Sequence, residues 1–105
     1  MRNEAHLNFI RSLPCCTCLD NISTEAAHVR MADARYEKTE TGMSRKPPDQ
    51  WTVPLCARDH ALQHAMGEKK FWGMAEIDPL RLAVELFKVT GDHAAGERII
   101  REAQR

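Results

Sequence analysis

The stretch "WTVPLCARDHALQHAMG", residues 51–67, begins as a strand and ends as a helix, and the fold turns on that switch. Trp51, Thr52 and Val53 have the bulky and β-branched side chains that strands favour. From Cys56 onward the composition is helical, ending near Gly67. On such a helix His60 and His64 are four apart, so they project from one face and can hold a cation between them.

Upstream, "STEAAHVRM" (residues 23–31) is a short, partly alternating strand candidate that carries His28 near its end. The segment between the strands, residues 31–50, is polar, holds Gly42 and Pro47-Pro48, and shows no sustained period. It reads as a long mobile loop, a feature that in a small domain is more often functional or disordered than idle. Further upstream, "NEAHLNFIRSL" predicts a short helix with Asn3 as cap, Leu7, Ile10 and Leu13 at helical spacing, and Pro14 as the stop. "CCTCLDN" follows, too cysteine-dense for a helix core and read as a knuckle-like turn.

Downstream of Gly67, Phe71 and Trp72 are expected on a turn, with their rings in the core. "IDPLRLAVELFKVTG" is then the clearest helix of the chain: Asp78 caps it, Pro79 takes the first helical position and Gly91 stops it. Asp92 caps a last, more polar helix through Ile99 and Ile100, so residues 78–105 are read as C-terminal helices whose apolar faces could serve a homodimer as easily as a core. The 105 residues thus read as one α+β domain.

Composition narrows the function classes. Fifteen Lys/Arg balance fifteen Asp/Glu, so net charge gives no argument for a nucleic-acid or membrane partner, and any such argument must be local. No apolar run approaches the roughly 18 residues of a membrane span, and the N-terminus has no secretory pattern. The expectation is a soluble, cytoplasmic protein with no membrane partner. In that setting Cys15, Cys16, Cys18 and Cys56 point to metal or free thiols more than to disulfides. Cys15 and Cys18 form C-x-x-C, and Cys56 has Asp59 three residues on and His60 four on. Three thiolates and one more ligand would close a structural zinc site, with Asp59 or His60 as the fourth. A pair of buried thiols is the plainer alternative, and a redox role lacks the βαβ setting such motifs favour.

His28 by itself is readable as a core residue between Ala27 and Val29. The order of features changes that: cysteine knuckle, Ala-His on a strand, basic loop, then "WTVPLC" and a helix bearing H-x-x-x-H. This order resembles the HNH, or ββα-metal, nuclease superfamily of the endonuclease VII type. The run "SLPCCTC…AAHVR…PLCARDHALQH…GEKKFW" looks most like small phage and prophage HNH proteins, including the recombination-enhancement nucleases.

The resemblance covers roughly residues 7 to 90 and places the ββα-metal core at 28–67. It implies an endonuclease hydrolysing DNA, double- or single-stranded, with little sequence specificity. It makes His28 the general base, has His60 and His64 hold a catalytic Mg²⁺, Mn²⁺ or Zn²⁺, and leaves Cys15, Cys18 and Cys56 to a separate structural Zn²⁺. Some related phage nucleases work with an accessory recombination protein. Two positions depart from the family. Its middle asparagine is replaced by Trp51, which leaves Asp49 to orient the base or complete the metal shell. Ala27 stands where many members have an acidic ligand. The alternative is therefore a zinc-stabilised nucleic-acid-binding module with weak or no turnover. Among the cations, Arg30 follows His28 by two and shares its strand face. Arg45 and Lys46 in the loop would contact phosphates, with Arg58, Lys69 and Lys70 beyond.

Overall fold

Every residue of strand β2 (Thr52–Cys56) is buried, and helix α2 (Ala57–Met66) starts directly after it. The computed structural model describes residues 3–36, 38 and 48–104. In chain order these form α1 (Glu4–Arg11), β1 (Thr24–His28), a 3₁₀ turn (Ala34–Tyr36), β2, α2, α3 (Glu68–Ala75), α4 (Pro79–Lys88) and α5 (His93–Ala103). The architecture is mixed α+β, with a two-stranded antiparallel sheet and five helices. None of the helices in the described residues is long and apolar enough to cross a membrane.

The register of the sheet runs from Thr24 opposite Cys56 to His28 opposite Thr52. Beyond its two ends, Ala57 N donates to Ser23 O at 3.1 Å and Val29 N to Trp51 O at 2.8 Å. Antiparallel pairs alternate between bonded and unbonded, so the bonds at 23/57 and 29/51 put Pro54 at an unbonded pair, facing the outer edge. A proline is tolerated there because no ladder bond needs its missing N–H. The Pro54 carbonyl instead accepts from Cys16 N at 2.9 Å, which docks the cysteine turn along β2.

Helices α1 and α4 pack on the sheet, and α5 packs on α4. The core includes Phe9, Ile10 and Leu13, then Val53 and Leu55 of β2, then Leu80, Leu82, Leu86 and Ile100. The apolar side chains of α4 and α5 are therefore largely in this core. Gly96 shows how close α5 comes to the first helix: a Cβ there would lie 2.9 Å from both Leu13 Cδ2 and Phe9 Cζ. The last turn of α5 also reaches the knuckle, where Gln104 Nε2 donates to Cys16 O at 2.8 Å.

Capping agrees with the sequence at α1 and α4. The Asn3 side chain accepts from His6 N, and Asp78 accepts from Leu80 N and Arg81 N, with Pro79 in the first turn. Three differences stand out. Strand β1 covers Thr24–His28, shorter than the 23–31 segment read as a strand. Phe71 and Trp72 lie on helix α3, not on a turn; their rings are buried and meet edge to face at 5.0 Å. The connection at 31–50 is not wholly irregular, since its start folds into the 3₁₀ turn and an Asp33–Lys38 bridge.

Candidate functional site

The cysteine turn is shaped by its backbone. Leu19 N donates to Cys15 O and Cys15 N to Asp20 O, each at 2.8 Å, and Leu19 takes a left-handed φ of 65° to close the loop. That conformation is costly for a residue with a side chain, and it leaves the C-x-x-C sulfurs near each other. Cys56 meets them because it ends β2 and caps α2, its Sγ accepting from Asp59 N at 3.4 Å.

The ligand atoms of Cys15, Cys18, Cys56 and Asp59 all lie within 4.8 Å of one another, a set that could hold a metal ion. The Cys18 and Cys56 sulfurs are 3.9 Å apart. Two sulfurs on one tetrahedral zinc, each at its usual bond length, would be about 3.8 Å apart. Asp59 is held for such a role by Thr17 Oγ1 at 2.6 Å and Arg58 Nε at 3.2 Å. Burial pushes the Asp59 carboxyl up, but these hydrogen bonds, the Arg58 charge and the Cys56 contact together bring the group below its usual range. Burial likewise raises Cys15, while its contact with Thr17 and hydrogen bonds from nearby backbone bring it below the ordinary thiol value. Cys16 is different: it is fully buried, its thiol is pushed well up, and it packs in the core.

The second group is histidine-based. His28 is the last residue of β1 and pairs with Thr52, three residues after Asp49. Thr52 Oγ1 donates to Asp49 O at 2.8 Å and Trp51 N to Pro48 O at 3.0 Å, forming a tight turn that aims Asp49 at the strand end. The result is a His28 Nε2–Asp49 Oδ1 contact of 2.9 Å between side chains only 18% and 12% exposed. The other Asp49 oxygen accepts from Asn3 N at 2.6 Å. An ionised carboxylate can only accept, so Asp49 fixes the proton on Nε2 and leaves the lone pair on Nδ1.

On α2, His60 and His64 bring their Nε2 atoms to 3.2 Å, and His60 Nδ1 meets Glu25 Oε1 at 2.7 Å. His28 and His64 line one cleft of about 630 Å³, with Arg30, Glu68, Lys69 and Lys70 around it. The Arg30 backbone N–H donates to Glu68 Oε2 at 2.8 Å, tying the end of the strand to the start of α3.

The site residues expected from sequence thus fall into two groups. Cys15, Cys18, Cys56 and Asp59 come together; His60, the other candidate fourth ligand, turns away to Glu25 and His64. His28 and Asp49 pair, and His28 shares a cleft with His64. Arg45 and Lys46 lie outside the described residues. Glu25 escaped the sequence reading because no motif marks it; the signal was its place on β1 beneath the first turn of α2. Compared with known proteins, the chain matches no family model, no curated protein and no solved structure.

Proposed function

We propose that this chain is a metal-dependent endonuclease of the ββα-metal (HNH) kind, hydrolysing DNA phosphodiester bonds with little sequence preference. The observation that carries the reading is the cleft itself: His28, braced by Asp49, and His64, joined to His60, face one space bordered by Lys69 and Lys70. His28 Nδ1 takes the proton of a water as its oxygen attacks phosphorus. The P–O bond to the departing sugar breaks, its oxygen takes a proton from water, and the proton on His28 passes to solvent before the next turnover. Asp49 stabilises the imidazolium that forms and holds the ring against rotation. Lys69, Lys70 and Arg30 attract and place the phosphate chain without reading bases. His60 and His64 would hold a divalent cation, which would supply positive charge to offset that of the phosphodiester.

The thiol cluster has a separate task. Three soft sulfurs and one carboxylate suit Zn²⁺, and closing the site ties the knuckle to the β2–α2 junction. A phage or prophage origin and a recombination partner that delivers DNA belong to the same reading. A non-cleaving nucleic-acid-binding module is the second reading, favoured by Ala27, which offers no ligand where many members of the resembled family have an acidic one.

The test is incubation with supercoiled plasmid, single-stranded DNA and RNA under Mg²⁺, Mn²⁺ or chelator, with His28→Ala in parallel. The nuclease reading expects metal-dependent cutting of DNA that falls by about 10²–10⁴-fold in the variant, with binding and melting unchanged. Equal binding and no cutting by either protein would favour the module.

A further inference from the structure

Glu25 contacts the histidine pair and has no part in the mechanism above. It sits on β1 opposite Leu55, one residue before α2's cap, so the first turn of α2 lies over it. Its Oε1 is 2.7 Å from His60 Nδ1, a distance typical of a charge-assisted bond. We infer that Glu25 is a positioning residue for a cation site, fixing His60 in the tautomer whose Nε2 lone pair faces His64. The inference rests on the proposed role of His60 and His64.

The chemistry of the three groups supports it. A carboxylate offers acceptors alone, so the shared proton resides on His60 Nδ1, and in the neutral ring Nε2 then has the lone pair. His64 Nε2 lies 3.2 Å from that nitrogen, with the rings 4.8 Å apart between centroids. Two imidazole nitrogens on one tetrahedral Zn²⁺ or Co²⁺ stand about 3.4 Å apart at usual bond lengths, so the pair is already set close to that span. Without an ion, His64 must donate across the gap, and for a cation to take both lone pairs the His64 ring gives up its Nε2 proton and takes one from water at Nδ1. Glu25 cannot itself be the third ligand in this arrangement. It is bound at the Nδ1 proton, and the two ring nitrogens face in widely divergent directions.

Because Glu25 is 51% exposed, water screens its charge and the effect belongs at the lower end of the usual range for such outer partners. The experiment is calorimetric titration of Co²⁺ into the full chain with its thiol site already filled by zinc, with melting curves on every variant. The expected result is one further ion per chain in the wild type. His60→Ala loses it, Glu25→Ala binds it about tenfold more weakly, and Glu25→Gln, which keeps the acceptor, recovers most of the affinity.

If Glu25→Ala binds as the wild type does while His60→Ala still loses the ion, the positioning role is overturned and the histidine site stands. Glutamine as weak as alanine would overturn the tautomer argument, leaving charge alone. If the wild type takes no further ion, or His60→Ala takes it equally well, the histidine cation site itself fails and the role of Glu25 falls with it.

Discussion

The two clusters on either side of the β2–α2 junction are built from adjacent residues and differ in almost everything else. Asp59 turns inward to three sulfurs, a Thr17 hydroxyl and the backbone of a tight turn. His60, the next residue, turns to the strand and to His64, whose side chain opens on a cleft. A helix advances by about 100° per residue, so two neighbours can serve opposite sides. The thiol set has four candidate ligands, enough to close a tetrahedral shell around one ion, the pattern of a structural site. In the proposed reading the histidine set offers two ligands, a cleft and a base braced by Asp49, the pattern of a site that keeps open positions for water and substrate.

The comparison makes its strongest prediction at Cys56. Cys56→Ser removes a sulfur that also caps α2, and should cost much of the roughly 5–15 kcal/mol that holds a domain of this size together, leaving a chain that melts without cooperativity. His64→Ala, across the junction, should shift stability by less than about 0.5 kcal/mol, measured in urea, while lowering cleavage. Equal losses in both would erase the distinction between the sites. Asp49→Asn keeps the shape of the brace but can hold either tautomer of His28, and should slow cleavage about tenfold to a hundredfold with little change in melting.

Smaller effects sharpen the scaffold around the two sites. Gly96→Ala puts a methyl against Leu13 and Phe9, and should lower stability by about 1–3 kcal/mol in urea while leaving metal content intact. His6 gives the smallest effect, and a signed one. Its Nδ1 is 2.8 Å from Thr90 Oγ1, which itself donates to Phe87 O, so Nδ1 carries the proton and Nε2 is buried without a partner. Burial lowers its pKa from 6.5, opposed in part by the charge of Asp49. The unfolded chain therefore binds this proton first, and stability falls as pH drops below about 6.5. His6→Leu should flatten that part of a stability–pH curve; an unchanged curve would remove His6 from the account.

Much of this was legible in the chain because the signals are local. Asn3, Asp78 and Pro79 mark helix starts by chemistry that acts within three residues, and C-x-x-C or H-x-x-x-H needs one turn to bring its atoms together. What escaped depends on contacts distant in sequence. The choice between Asp59 and His60 is set by how α2 is rotated on the sheet, which residue spacing does not encode. Glu25 is 35 residues from His60, and the register that joins them appears once β1 and β2 pair. Helix α3 was obscured by its composition, with Gly67 before it and Gly73 within it; burial of Phe71 and Trp72 outweighs the weak propensity.

The most direct test of two sites with two tasks is stepwise chelation of the wild-type protein, with plasmid cleavage and cooperative melting followed on the same samples. The account predicts that cleavage disappears first, at chelator levels that leave the melting transition and one tightly held zinc per chain in place, and that the fold is lost only when that zinc leaves. Cleavage and folding lost together, or cleavage that survives removal of every ion but the thiol-bound one, would contradict it.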